Sequence, residues 1–235
     1  MDKTKHIREV FNKIPNYYDI MNDSMSLGLH RIWKKKLINM IDIVNKGNYL
    51  DLSTGSGDIA KLVLQKTMFL NINMTCADPD SKMLEKAKEK LINSGFIRNI
   101  NYIQTEAEQM PFYDNSFDVV TLSFGLRNFS NIEQGLSEVF RVLKPNGKLY
   151  CLEFSPEMDY KLLQKGYNKY LDILPKIGKF IAKDEQSYSY LAESIKNFKT
   201  RNQIIEILQN LGFVKTEFNS LSGGLCNIFI SQKIY

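Results

Sequence analysis

A carboxylate, Asp78, follows the apolar run Ile72–Ala77 and stands about twenty residues beyond a glycine turn, Ser53-Thr54-Gly55-Ser56-Gly57-Asp58. Together they carry the chemistry of nucleoside binding. Glycines one residue apart let a backbone approach a ligand where a side chain would block it, and a helix starting after Gly57 offers unpaired N–H groups at its first turn. An acid at the end of the second strand accepts hydrogen bonds from the two hydroxyls of a ribose. Gly55-x-Gly57-x-x-Ala60 also fits a dinucleotide fingerprint, so a nicotinamide-dependent oxidoreductase stands as one alternative. Three features count against it. A helical stretch covering residues 1–46 precedes the turn, Ser53 occupies a place where such a turn often has glycine, and no second half repeats the nucleotide-binding pattern.

The elements that must position these groups alternate. Strands are expected at Tyr49–Leu52, Ile72–Ala77, Ile100–Ile103, Val119–Ser123 and Leu149–Phe154, with helices at Ile59–Leu64, Ser81–Asn93 and Ile132–Leu143 between them. That order predicts an α/β domain with a parallel sheet and helices on both faces, its ligand lying beyond the carboxyl ends of the strands. Before it, Val10, Phe11, Ile14, Tyr17 and Ile20 suit short helices broken at Pro15. A further helix from about Leu29 to Val44 has Ile32, Trp33, Leu37, Ile38 and Ile41 on one side and Arg31, Lys34, Lys35 and Lys36 on a solvated face. After Pro156 the alternation lapses into two aromatic-rich helices, Tyr160–Leu174 and Ser187–Phe198, expected to cap the ligand edge. Gln203–Leu211 is a helix stopped by Gly212, and Phe213–Phe218 with Cys226–Ile230, joined through Gly223-Gly224, is expected to form an antiparallel pair. The chain is thus one domain in four parts: 1–46, 47–155, 156–200 and 201–235.

Composition sets the bounds. At 235 residues, 43% of them hydrophobic, the chain can bury a sizeable core. A net charge of +5, from 31 basic and 26 acidic residues, is too small to argue for a nucleic-acid partner. Cys76, Cys151 and Cys226 lie far apart with no metal or redox spacing, as small buried hydrophobes in a reducing compartment. No cluster of ligating side chains proposes a metal. No apolar run approaches the ~20 residues of a spanning helix, and no signal-peptide pattern opens the chain, so a cytoplasmic protein that can visit a membrane surface is expected.

Further motifs narrow the class. Glu106-Ala107-Glu108-Gln109-Met110-Pro111-Phe112 follows the third strand, Asn115-Ser116-Phe117-Asp118 enters the fourth, and Arg141-Val142-Leu143-Lys144-Pro145-Asn146-Gly147 enters the fifth. In this order they resemble the class I S-adenosylmethionine-dependent methyltransferases. Tyr18-Asp19-Ile20-Met21-Asn22-Asp23, Gly28-Leu29-His30-Arg31-Ile32-Trp33-Lys34, Gly125-Leu126-Arg127-Asn128 and Tyr190-Leu191-Ala192-Glu193-Ser194-Ile195 are similar to the ubiquinone/menaquinone biosynthesis C-methyltransferase family. The resemblance implies a Rossmann-like, mostly parallel seven-stranded sheet with an N-terminal helical extension and a helical cap. It also implies methyl transfer from S-adenosyl-L-methionine to a ring carbon of a polyprenylated benzoquinol, of demethylmenaquinol, or of both.

Carried over by position, it assigns cofactor contacts to Ser56, Asp78, Glu106, Ala107 and Ser123, beside the turn residues Ser53, Gly55 and Gly57. Arg127 and Asn128 are expected to hold a water or stabilise a phenolate, because arginine cannot itself accept a proton at neutral pH, with a loop salt bridge or turn as the other reading. Tyr18, Asp19, His30, Trp33, Tyr188 and Tyr190 are expected to line a pocket for the prenylated ring, with core packing as the other reading. Contact with a membrane surface or a quinone-biosynthesis complex follows from such a substrate, and a homodimer stays open. The rival from another class is a methyltransferase-like fold that has lost catalysis and serves as a lipid- or RNA-binding scaffold.

Overall fold

The structure, a computed structural model, describes Ser26 and residues 28–181 and 184–235. The short helices expected before Ser26, and with them Tyr18 and Asp19, lie outside the described residues. Seven strands form one sheet: β1 (Asn48–Leu52), β2 (Asn73–Asp78), β3 (Ile100–Gln104), β4 (Phe117–Ser123), β5 (Leu143–Phe154), β6 (Val214–Leu221) and β7 (Cys226–Gln232), in the order β3-β2-β1-β4-β5-β7-β6. The first five run parallel, and β7 inserts antiparallel between β5 and β6. The strand order reverses at β1, which pairs with β2 on one side and β4 on the other, so a crevice opens above its carboxyl end.

The helices are α1 (His30–Met40), α2 (Asp58–Lys66), α3 (Ser81–Asn93), α4 (Ile132–Val142), α5 (Lys161–Ile181), α6 (Glu185–Lys196) and α7 (Arg201–Asn210). Along β1, Tyr49 packs into one core cluster with α1, α2 and the cap helices α5 and α6, while Leu50 and Leu52 pack into another with α4 and α7. Both faces of the sheet are therefore covered, which is why its central strands read as nearly continuous apolar runs. Side chains finish the helix ends: Asp80 accepts from the N–H groups of Lys82 and Met83, and Thr200 and Gln203 form a reciprocal capping box. Lys66 of α2 donates to the carbonyls of Ile38 and Ile41, tying the end of α1 to the core.

Three sequence expectations change. Strand β5, expected from Leu149, begins at Leu143 and carries residues 144–147 as a bulge, because Phe117↔Leu143 and Val119↔Lys148 leave four residues of β5 opposite one of β4. Helix α5 runs through Pro175 to Ile181, well past Leu174. In α1, Ile32 is exposed whereas Lys34 is buried, so the basic face is interrupted at the residue nearest the crevice.

Candidate cofactor and active site

The turn after β1 is shaped by an acid that sequence reasoning passed over. Asp51, fully buried in the strand, accepts hydrogen bonds from the Thr54 hydroxyl (2.6 Å), the Thr121 hydroxyl (2.8 Å) and the Ala60 N–H (3.2 Å). It ties the turn, the next helix and β4 to one carboxylate. Burial pushes its carboxyl up to about 6, against the pull of those donors and of the Lys34 charge. Its signal was present: a lone acid inside the apolar run Tyr49-Leu50-Asp51-Leu52 has to be paired.

Asp78 closes β2, as expected. The N–H of Gly55 (2.9 Å) donates to one of its oxygens and that of Asp80 (2.9 Å) to the other, while the Thr54 N–H donates to the Ala77 carbonyl (3.0 Å). Burial raises the Asp78 carboxyl to about 6 despite the two backbone donors. Gly57, at φ +81°, starts α2, and a Cβ there would stand 3.0 Å from that of Ala87 on α3. The loop after β3 is stitched to the same edge by the Thr105 N–H on the Asp78 carbonyl (3.2 Å), which sets half-exposed Glu106 and buried Ala107 beyond Asp78.

On the other side of the turn lies a small open cleft of about 20 Å³, lined by Lys34, Asp51, Ser53, Ser56, Asp58, Ser123 and Phe124, among others. Ser53 (φ +53°) and Phe124 (φ +58°) both take the left-handed backbone conformation, and Gly125 presses so closely that a Cβ would stand 2.6 Å from that of Ser53. Hence the β1 and β4 loops meet edge to edge. The Ser123 hydroxyl is buried here with no hydrogen-bond partner among the described residues. A polar atom left over in a cleft is what a polar ligand would satisfy. Asp58 bridges two ammonium groups, Lys34 (2.7 Å) and Lys90 (2.6 Å), and Lys90 also donates to the Ser56 hydroxyl (2.8 Å). Burial opposes ionisation of Asp58, but the two lysines outweigh it and hold its carboxyl well below the usual range.

Arg127 and Asn128 form a 3₁₀ turn (Leu126–Asn128) just beyond Ser123, where Arg127 makes the loop salt bridge of the alternative reading. The Arg127 side chain, 2% exposed, donates from Nη1 to Glu153 Oε1 (2.8 Å) and to the Phe124 carbonyl (2.6 Å), and the Arg127 backbone N–H donates to Glu153 Oε2 (3.1 Å). This ion pair holds the loop against β5, and Arg127 is not among the described residues that line the cleft. Asn128 does face the cap: its Oδ1 accepts from the Tyr190 hydroxyl of α6 (2.9 Å). Glu153 went unnoticed in the sequence for the same reason as Asp51, as one acid within Leu152-Glu153-Phe154.

The remaining pocket candidates divide. Trp33 is buried, donates from its indole to the Ser222 hydroxyl (2.9 Å) and stands edge-on to Phe154, which packs on Phe124 at 4.7 Å between ring centres. It therefore backs the wall of the cleft. His30 is buried at the start of α1, its N–H on the Ser26 hydroxyl (3.1 Å). Tyr188 is the core residue of the bland reading, buried against Gly178 where α5 meets α6. The thiols of Cys76, Cys151 and Cys226 are buried, and burial pushes all three well up, so none offers an attacking thiolate.

These residues fit S-adenosylmethionine. Asp78 would offer a carboxylate to its ribose, the Gly55–Gly57 backbone leaves room beside the turn, Ala107 would give an apolar edge for the adenine, and Ser123 has a hydroxyl with no partner among the described residues. Among solved structures the chain is similar to an S-adenosylmethionine-dependent methyltransferase from Aquifex aeolicus, 18% identical over 86% of this chain and 89% of that one, with a TM-score of 0.61. It is also similar to Haemonchus contortus phosphoethanolamine N-methyltransferase 2 in complex with S-adenosyl-L-methionine, 15% identical over 87% of this chain and 53% of that one, TM-score 0.65. Fold and site define a class I S-adenosylmethionine-dependent methyltransferase. Within that class the affiliation is closer, for the pattern of the ubiE/COQ5 methyltransferase family matches residues 1–233. Relatives named ubiquinone/menaquinone biosynthesis C-methyltransferase UbiE are 42% identical in Francisella tularensis subsp. novicida and 40% identical in Legionella pneumophila, each over 99% of this chain and 92% of the relative. The chain belongs to the ubiE/COQ5 methyltransferase family.

Proposed function

We propose that this protein transfers a methyl group from S-adenosyl-L-methionine to a ring carbon of a prenylated benzoquinol, of demethylmenaquinol, or of both. The observation that carries this reading is the arrangement at the end of β4. Ser123 offers its unpartnered hydroxyl to the cleft, and five residues on Asn128 is held from above by Tyr190 of the cap. When bound, the cofactor supplies an electrophilic methyl on a sulfonium. The protein's own task is to hold an electron-rich ring in line with it and to favour loss of a phenolic proton, since orientation accounts for much of such a barrier. With Oδ1 of Asn128 taken by Tyr190, its amide NH₂ is the donor that holds a water or the developing phenolate oxygen, an interaction worth a few kcal/mol in a site closed to solvent. Arg127 acts through the loop as a positioning residue. A strain lacking quinone C-methylation, carrying this chain, tests the reading by mass spectrometry of its quinone extract. Restored benzoquinone or menaquinone methylation supports it and assigns the ring class; demethyl quinones alone, with the protein expressed and folded, refute it.

A prenylated ring partitions into bilayers, so its enzyme has to meet it at a surface. No helix among the described residues is long and apolar enough to cross a membrane. Helix α5 buries Tyr167, Leu171 and Leu174 and exposes Leu162, Leu163, Ile173 and Phe180 beside Lys161, Lys165, Lys169 and Lys176. Basic side chains flanking exposed apolar ones suit an anionic membrane surface. Flotation with anionic vesicles, weakened by salt and by Leu162→Glu with Phe180→Glu, is the expected behaviour; equal recovery of parent and variant would rule α5 out.

A further inference from the structure

The cleft holds a charge arrangement that the ribose, the adenine and the acceptor ring leave unused. Asp78 on β2 and Glu106-Ala107 after β3 take the nucleoside side of the turn, so the β1–β4 side is left for the cofactor's amino-acid end. That side is where the cleft lies, and Lys34 is the one cation among the described residues lining it. Its side chain is 8% exposed, and the structure shows its ammonium donating to Asp58 Oδ2 at 2.7 Å. Lys90 balances the same carboxylate from the far side at 2.6 Å. Asp51, the other carboxylate lining the cleft, already accepts from the Thr54 and Thr121 hydroxyls and the Ala60 N–H, so Lys34 is the charged donor there. An ammonium carries three donors, so Lys34 can hold Asp58 and a second anion together.

Resting on the reading of the site as an S-adenosylmethionine site, we propose that Lys34 is the seat of the cofactor's α-carboxylate, with Asp58 as the anchor that aims it. The cofactor's other charged groups, the sulfonium and the α-ammonium, are cationic and suit the acids Asp51, Asp58 and Asp78 around the turn. Its single anion requires a cation, and the buried Lys34 meets that need in low dielectric, where a charge-assisted bond is strong. Because Lys34 belongs to α1, the helical extension before the sheet becomes part of the cofactor site.

Calorimetry with two probes tests this. S-adenosylhomocysteine carries the carboxylate; S-adenosyl-3-thiopropylamine, its decarboxylated analogue, does not. Parent protein should prefer the carboxylated probe, and Lys34→Met, which keeps the aliphatic stem and leaves Asp58 to Lys90, should lose roughly ten- to a hundredfold in affinity for it. The decarboxylated probe should bind parent and variant within about twofold, a coupling confined to the carboxylate. An equal loss for both probes would make Lys34 a prop of the turn and overturn the proposal, as would no loss for either. Failure of the parent protein to bind either probe would instead sink the cofactor reading itself. Lys90→Met, farther from the cleft, should weaken the carboxylated probe less than Lys34→Met does; the reverse order would move the seat to Lys90 and also refute the assignment.

Discussion

Glu153→Gln isolates what the buried ion pair contributes. Glu153 is fully buried, and its oxygens accept three donors: Arg127 Nη1 at 2.8 Å, the Arg127 N–H at 3.1 Å and the Phe154 N–H at 2.9 Å. Glutamine keeps the volume and one acceptor, but turns an NH₂ toward existing donors and leaves the guanidinium without its counter-charge away from water. Breaking one side of such a pair costs about 3–5 kcal/mol. Against a total stability on the order of 5–15 kcal/mol the protein still folds at 25 °C. For a chain of this length the melting temperature should fall by roughly 6–20 °C. Arg127→Met should cost a similar amount, because it strands the carboxylate. Arg127→Met with Glu153→Gln removes both charges, so it should cost less than the sum of the singles by about 1–3 kcal/mol. Urea titrations with unchanged slope, read by linear extrapolation, supply all four corners of the cycle. Singles costing under about 1 kcal/mol, or costs that simply add, would show that the pair does not hold the β4 loop.

The Asp78 carboxyl, raised to about 6, must be ionised to accept from a ribose, so S-adenosylhomocysteine affinity should fall as pH drops below about 6, by up to about tenfold per unit. Asp78→Asn should bind weakly with no such dependence; a flat profile in the parent would contradict the assignment. For the ligand-free protein the sign reverses: Asp51 and Asp78 are raised above their unfolded values of about 3.9, so the folded state binds more protons between about pH 4 and 6. Their joint contribution to stability therefore grows as pH falls through that window, and urea midpoints of Asp51→Asn against parent report it. Gly125→Ala drives a Cβ to 2.6 Å from that of Ser53, so cofactor affinity should fall at least about tenfold and recover in part with Ser53→Gly. No recovery would place the strain elsewhere. Lys233, buried, donates to Asn115 Oδ1 and to the carbonyls of Phe140 and Leu143, all within 2.9 Å, closing the end of α4. Lys233→Met should cost about 2 kcal/mol in urea unfolding with little change in cofactor affinity.

What the chain revealed in advance was whatever its periodicity encodes. The five parallel strands, the antiparallel pair at the end and the acid closing β2 all follow from apolar runs, glycine stops and the distance of Asp78 from the turn. The buried charges resisted reading, because helical or strand periodicity assigns a side chain to a face and not to a partner. Lys34 stands in a run of three lysines, and only its neighbours are exposed; the difference is the carboxylate of Asp58, 24 residues on, which becomes adjacent once α1 packs beside α2. Arg127 stood out in the sequence but its partner did not, since Glu153 lies one strand over, beyond anything that local spacing reports. One rule would have caught both acids. A single carboxylate inside an apolar strand must find donors or a cation when that strand is covered on both faces, and the cations nearest the sheet's ligand edge in the sequence are the ones to test against it. Applied to Asp51 and Glu153, that rule points to the β1 and β4 loops from the sequence alone. Those two loops, held by these two acids, are what bring Ser53 and Ser123 to the same cleft.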